Sequence, residues 1–235
     1  MTRTLPATAL LAAMLFPTCA GALVGGDFAD RAIQRYTVLV AGAKSRCSGV
    51  VLAPTIVLTA AHCIPPAGAK LQVGGNTGGL PPSMLSAVDN VVQHPLYRRE
   101  DAGSPDLAML KLAKPLPDRF VAATLSTRTP AEGDALIAAG YGKASAGESA
   151  RAPPVLRMVL LRVTQAIRGW LVLTRVGEDP SVGGPGDSGG PVFTYRGMHA
   201  LVGLIIGVSD ERTKVLALAA HTTWIRETQE KLSGR

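Results

Sequence analysis

Short apolar runs separated by turn-forming residues recur along most of the chain. Many of these runs contain β-branched residues, and Gly, Pro, Asp or Asn bound most of them. Runs of this kind are typical of β-strands in an all-β sandwich or barrel. They predict strands over Tyr36–Ala41, Gly49–Leu52, Ile56–Thr59, Leu71–Val73, Ala87–Val92, Leu107–Leu112, Ala135–Ala139, Val155–Val163, Trp170–Thr174, Pro191–Thr194, Ala200–Val208 and Val215–Ala219.

Two other segments have different patterns. Near the C-terminus, Trp224, Ile225, Thr228 and Leu232 fall close to helical spacing among polar neighbours, which predicts a helix. The stretch from Lys114 to Ala131 contains several prolines and few strand signals, so it could connect two halves of the protein. The pattern therefore favours an all-β protein with a C-terminal helix.

The first 22 residues resemble an export signal. A short basic start with Arg3 precedes an apolar run from Ala9 to Phe16, and the small residues Ala20-Gly21-Ala22 follow. The apolar run is too short to span a membrane. We expect residues 1–22 to be a signal peptide and 23–235 the mature, secreted protein, extracellular or periplasmic. A buried N-terminal helix is the alternative interpretation.

Composition narrows the possible partners. Of the 235 residues, 47% are hydrophobic, which is enough for a sizeable core. The net charge is +7, and loss of Arg3 with the signal would leave +6. Basic residues are scattered rather than interleaved with aromatics, so the sequence does not support nucleic-acid binding. A bias towards Ala, Arg and Gly hints at a bacterial source.

The cysteine count predicts one disulfide. Removing the signal also removes Cys19, which leaves Cys47 and Cys63. In an exported protein, two cysteines that form the one possible pair are more simply interpreted as a disulfide bridge than as two free thiols. By the chain-entropy estimate, closing this loop of about 16 residues contributes roughly 3 kcal/mol. Metal binding is the weaker alternative because no cluster of further ligands lies nearby, and we expect no metal site.

Three polar residues stand out from this apolar background. His62 lies in TAAHC, after a predicted strand, and Asp106 begins the apolar run that ends at Leu112. A buried carboxylate is costly unless another group pairs with it. Ser188 lies in GGPGDSGGP, where glycines allow backbone N–H groups to approach a partner closely. Each residue alone is also compatible with an ordinary structural role.

Together, TAAHC, DLAMLKL and GDSGGP strongly resemble the motifs of the chymotrypsin-like (trypsin-fold) serine peptidases. The similarity extends from Leu23 to the end of the chain. Its further matches are Leu23-Val24-Gly25-Gly26, Gln93-His94-Pro95-Leu96-Tyr97, Gly140-Tyr141-Gly142 and Thr223-Trp224-Ile225. The resemblance implies two packed six-stranded antiparallel β-barrels, at approximately 23–120 and 121–235, with the active site between them.

The resemblance also implies the chemistry. Ser188 would be the nucleophile, His62 its general base and later the general acid, and Asp106 the group that orients His62. The backbone N–H groups of Gly186 and Ser188 would form the oxyanion hole. We expect protein or peptide substrates, no cofactor, no membrane span and a monomer.

Asp187 has a separate role in the resembled family. There, the acid before the serine pairs with the α-amino group of the mature N-terminus. Here the candidate N-terminus is Leu23, where the family usually has Ile or Val, and Ala22 rather than Lys or Arg precedes it. We hypothesise that signal removal itself exposes Leu23, so that no separate activating peptidase is needed.

The specificity pocket departs from the family pattern. Val182 falls where trypsin-like enzymes have an acid, Thr213 falls where a glycine is common, and the apolar Ile206 and Gly207 replace part of the far wall. This composition favours a small or medium apolar residue before the scissile bond. If Asp210 or Glu211 reached into the pocket instead, a basic residue would be accepted.

A second function class stays open. The protein could instead be a catalytically weak or silent serine-peptidase homologue that acts as a basic binding protein. The unusual pocket wall is compatible with this alternative.

Overall fold

The structure is a computed structural model that describes residues 26–43, 45–66, 69–75, 82–143, 153–176, 184–209 and 212–234. The proposed signal peptide lies outside these residues. In the first half, the elements are β1 Asp27–Phe28, α1 Arg31–Gln34, β2 Thr37–Gly42, β3 Arg46–Ala53, β4 Ile56–Thr59, a 3-10 turn Ala61–Cys63, β5 Leu71–Gly75, β6 Ser83–Gln93 and β7 Ala108–Leu112.

The second half contains the remaining strands and the C-terminal helix. Its elements are β8 Ala135–Gly140, β9 Arg157–Ile167, β10 Trp170–Arg175, β11 Pro191–Thr194, β12 Leu201–Ser209, β13 Arg212–Ala217, a 3-10 turn Ala219–His221 and α2 Thr222–Ser233. Each apolar run that predicted a strand overlaps one of these strands, and the predicted helix is α2.

Strands β2 to β7 close into the first barrel, in the order β2-β3-β4-β7-β6-β5. Alternate residues of a strand point to opposite faces. In β2, Val38 and Val40 therefore pack in one buried cluster with Val57 of β4, whereas Leu39 packs in a second cluster with Leu58. Both faces of these strands are buried, which explains why their sequences are nearly continuous apolar runs.

Strands β8 to β13 form the second barrel. They pair in the order β9-β10-β13-β12-β11-β8, and an additional pairing of β8 with β9 closes the ring. The two-residue strand β1 pairs with β9 outside this ring. Side chains such as Leu161, Leu171 and Val192 fill a core of its own. The structure thus confirms two six-stranded antiparallel barrels.

The segment between β7 and β8 crosses from one barrel to the other. Ala123 donates its N–H to Val51 of the first barrel, at 2.8 Å. Immediately after it, Thr124 accepts from the N–H of Leu201 in the second barrel, also at 2.8 Å. This confirms that the proline-containing stretch from Lys114 to Ala131 connects the two halves.

Helix α2 covers the first barrel after the chain leaves the second. Its residues Ile225 and Thr228 are buried, and the Gln229 side chain donates to the carbonyl of Leu52 at 3.2 Å. The helix ends at Gly234, whose positive φ of 73° is readily adopted by glycine. Across the described residues, no helix combines the length and apolar character needed to cross a bilayer.

Candidate active site

The predicted disulfide is present. Cys47 in β3 and Cys63 in the turn after β4 are joined, with their Cα atoms 6.1 Å apart. The sulfurs of both cysteines and a ring nitrogen of His62 lie within 4.8 Å of one another. Because the two sulfurs are bonded to each other, neither is a thiolate ligand. The bridge instead ties the turn that carries His62 to β3.

His62 and Asp106 are joined by two hydrogen bonds. The ring Nδ1 lies 2.6 Å from Oδ2 of Asp106, and the backbone N–H of His62 donates to Oδ1 at 2.8 Å. Asp106 immediately precedes Leu107 and β7 and is only 8% exposed. A carboxylate can only accept hydrogen bonds, so Nδ1 carries the proton. In the neutral ring, Nε2 is therefore the basic nitrogen.

The loop that carries Ser188 needs glycine at two positions. Gly186 has φ +109° and Gly189 has φ +78°, both in the region that favours glycine. A Cβ atom at Gly186 would lie 2.9 Å from Cα of Gly142, so a side chain there would force the two segments apart. Within the described residues, the backbone N–H groups of Gly186 and Ser188 make no hydrogen bond.

Ser48 joins the two barrels beneath this loop, and sequence reasoning missed it. Its buried Oγ donates to the carbonyl of Gly186 at 2.9 Å and accepts from the N–H of Tyr141 at 2.8 Å. Its own N–H donates to the carbonyl of Ser188 at 2.8 Å. A serine inside an apolar strand is itself a signal, because buried polar groups are nearly always hydrogen-bonded.

Ser188 and His62 approach the same sulfur atom from opposite barrels. Sγ of Cys63 lies 3.8 Å from Nε2 of His62 and 3.7 Å from the carbonyl oxygen of Ser188. No hydrogen bond joins the Ser188 hydroxyl to His62 in the described part of the chain. The fold thus brings His62 and Ser188 together at Cys63, while the only direct hydrogen bonds among the three predicted triad residues in the described part of the chain join His62 to Asp106.

Asp187 is fully buried beside the loop. Its carboxylate accepts from the N–H groups of Gly142 and Gly184, at 2.8 and 2.7 Å. Burial raises the pKa of Asp187 to about 6, although these two hydrogen bonds act in the opposite direction. No basic side chain of the described residues forms an ion pair with it. Leu23, its expected partner, lies outside the described residues.

The predicted specificity pocket is described only in part. Thr213 in β13 pairs with Val208 in β12, is fully buried, and has no hydrogen-bond partner for its Oγ1 among the described residues. Ile206 is partly exposed at a register shift in β12, and a Cβ at Gly207 would meet nothing within 4 Å. Val182, Asp210 and Glu211 lie outside the described residues.

Comparison with known proteins gives consistent matches. A family model described as Trypsin matches residues 23–225. A trypsin from Simulium vittatum is 28% identical over 209 residues, which cover 80% of this chain and 81% of that protein. Granzyme M from Rattus norvegicus is 29% identical over 232 residues, covering 87% and 88%. These relatives come from animals and do not support the bacterial source suggested by composition.

Solved structures show the same fold. The structure of neuropsin, a serine protease expressed in the limbic system of mouse brain, superposes with a TM-score of 0.73. It is 22% identical in sequence, and the match covers 87% of this chain and 99% of that one.

Proposed function

Because this chain belongs to the trypsin family, we propose that it is a serine endopeptidase acting through His62, Asp106 and Ser188. The observation that carries the proposal is the doubly hydrogen-bonded pair of His62 and Asp106, with His62 and Ser188 both close to Sγ of Cys63. Protein and peptide substrates follow from the family. We also propose that residues 1–22 are removed on export and that residues 23–235 act as a secreted monomer.

The proposed reaction begins with attack of the Ser188 hydroxyl on the scissile carbonyl. His62 accepts the hydroxyl proton at Nε2 and then gives it to the leaving amine, and water releases the acyl group by the same route. Asp106 holds the proton on Nδ1 and stabilises the imidazolium that forms. The lack of a hydrogen bond between the Ser188 hydroxyl and His62 among the described residues does not oppose this reaction, since catalytic hydrogen bonds are often long without substrate and tighten when it binds.

The proposed oxyanion hole consists of the backbone N–H groups of Gly186 and Ser188. Both donors lack an acceptor among the described residues, so they are available to the oxygen of the tetrahedral intermediate. One such donor is worth on the order of 10²–10³ in rate. Ser48 supports the geometry, because its hydroxyl holds the carbonyl of Gly186 at 2.9 Å.

We further propose that the amino group of Leu23 pairs with Asp187 after signal removal. A fully buried carboxylate that receives only two backbone N–H bonds still lacks a counter-charge. N-terminal sequencing of the exported protein tests this processing step. A mature chain that began at Ala20 or Gly21, with no second cleavage, would contradict it.

For the residue before the scissile bond, we propose a small or medium apolar side chain. A Lys or Arg side chain beside Val182 would be a buried charge without a partner, which costs several kcal/mol. The fully buried Thr213 occupies volume that a glycine would leave open, and this disfavours large aromatic residues. Differences of one methylene are worth about 1–3 kcal/mol, so the preference should be graded.

The decisive experiment is covalent labelling with a fluorophosphonate probe, combined with hydrolysis of a peptide library. We expect labelling of the wild type at Ser188, and loss of activity on the order of 10⁶ in kcat for Ser188→Ala or His62→Ala. A folded wild type that neither reacts nor cleaves would favour the silent, basic binding protein instead. Activity of Ser188→Ala within about tenfold of the wild type would show that the triad is wrong.

A further inference from the structure

A cavity of about 620 Å³ opens beside Gly186, between the two barrels. From the first barrel, the end of β2 and the start of β3 contribute Ala41 and Arg46 to its wall. From the second, Lys143 and the Pro185-Gly186 pair line it. It therefore adjoins the proposed oxyanion hole, where the scissile carbonyl would lie.

The position of the cavity identifies which part of a substrate it would receive. None of the predicted specificity-pocket residues Ile206, Gly207 and Thr213 lines it. It lies instead towards Arg46, which directly precedes Cys47, and Cys47 is bridged to the residue after His62. His62 is the group that would protonate the leaving amine, so the cavity is on the leaving-group side of the scissile bond.

The charges around the cavity have one sign. Arg46 and Lys143 both line it, and its described lining contains no Asp or Glu. Cδ of Arg46 comes within 3.4 Å of the position of a Cβ on Gly186, so this side chain lies against the proposed oxyanion loop. Leu39, Met84 and Pro154 supply apolar surface, which limits solvent and strengthens a charge interaction.

We propose that this protein cleaves before acidic segments, with Asp or Glu at one of the two positions that follow the scissile bond. Lys143 and Arg46 are the specificity-determining residues for that carboxylate. A substrate Lys or Arg at the same position would be a third positive charge in the cavity. This inference rests on the proposed endopeptidase function.

The first and the second residue after the scissile bond cannot both face the cavity, because an extended peptide advances about 3.3 Å per residue and directs successive side chains to opposite sides. Only one of the two side chains can therefore enter the cavity. Single substitutions at each position will identify which one does.

The test uses internally quenched peptides with Ala before the scissile bond, and Glu, Gln or Lys at the first or the second following position. Mass spectrometry verifies the cleavage site, and kcat/KM is measured for each peptide. At one position we expect Glu to exceed Lys by about tenfold or more, as for a charge-assisted hydrogen bond in a partly enclosed site.

Variants then assign the preference to the cavity. Lys143→Gln and Arg46→Gln should each reduce the Glu-to-Lys ratio severalfold, and Lys143→Glu should abolish or invert it. Lys143→Gln keeps the test decisive if replacing Arg46 impairs folding. The matched control is Lys231→Glu, at an exposed position in α2, which makes the same charge change in a helix that contributes no residue to the cavity lining and should leave the ratio unchanged.

Three outcomes would overturn the inference. A fluorophosphonate-reactive wild type with equal kcat/KM for Glu and Lys at both positions would refute it and leave the proposed function intact. A ratio that responded equally to Lys231→Glu would assign the preference to overall charge rather than to the cavity. If the protein neither reacted with the probe nor cleaved any peptide, the proposed function would fail and the inference with it.

Discussion

The state of the N-terminus should decide whether stability falls between pH 4 and 6, because Asp187 is buried. We compare two chains, one beginning at Leu23 and one retaining Gly21 and Ala22. In the longer chain, the α-amino group is displaced from the position proposed for pairing, so Asp187 loses its proposed counter-charge. In the chain beginning at Leu23, the ammonium group is expected to form the proposed ion pair with the carboxylate.

The magnitude follows from the pKa of Asp187, which burial raises from 3.8 to about 6. A raised pKa in the folded state means that folding favours the protonated acid. The associated stability is complete below about pH 4 and is lost as pH rises to about 6. A shift of two units corresponds to about 3 kcal/mol of unfolding free energy.

Ion pairing should remove this dependence between pH 4 and 6 in the chain that begins at Leu23. The ammonium group favours the charged carboxylate, so the pKa of Asp187 falls and stability no longer drops between pH 4 and 6. Urea unfolding of both chains, at intervals from pH 4 to pH 7, measures the two profiles. Asp187→Asn in the longer chain is the control, since an amide does not titrate and should remove the decline.

The reasoning would be refuted if both chains lost the same stability between pH 4 and 6. It would also be refuted if the decline in the longer chain persisted in Asp187→Asn, because another group would then cause it.

Three further predictions concern the bridge, the inter-barrel serine and the pocket. Reduction of the Cys47–Cys63 disulfide should lower the free energy of unfolding by roughly 3 kcal/mol in chemical denaturation; no change would mean that the bridge does not constrain the unfolded chain. Ser48→Ala should lower kcat about tenfold with little change in KM, because the carbonyl of Gly186 loses its hydrogen-bond donor. A tenfold rise in KM with unchanged kcat would instead assign Ser48 to substrate binding. In peptides that differ only in the residue before the scissile bond, Ala, Val or Leu should give the highest kcat/KM. A tenfold advantage for Lys or Arg would contradict the apolar pocket and would indicate that Asp210 or Glu211 reaches into it.

The sequence predicted most strands because their apolar residues are local signals. The bounds of β4 and β11 agree with the predicted runs, Ile56–Thr59 and Pro191–Thr194. Strand β6 is longer than predicted, since it begins at the polar Ser83, which pairs with Gly75 through the backbone. Backbone pairing does not depend on side-chain polarity. The pattern of apolar and polar residues therefore could not predict this extension of β6.

The site was less accessible to sequence reasoning where its contacts join distant segments. Ser48 bonds to Tyr141 and Gly186, which are 93 and 138 residues away in the chain. No local pattern predicts those partners. The burial of Thr213 likewise depends on how β12 and β13 pair, which no local pattern predicts.

The division of the proposed triad between two barrels has a consequence for how the protein loses activity under stress. The proposed base and its orienting acid come from the first barrel, and the proposed nucleophile from the second, with Ser48 joining them at Gly186. A displacement of about 1 Å between reacting groups can cost on the order of 10²-fold in rate. A small separation of the barrels would therefore abolish catalytic activity while each barrel still retained its strands. On gradual heating, inactivation should precede the loss of secondary structure.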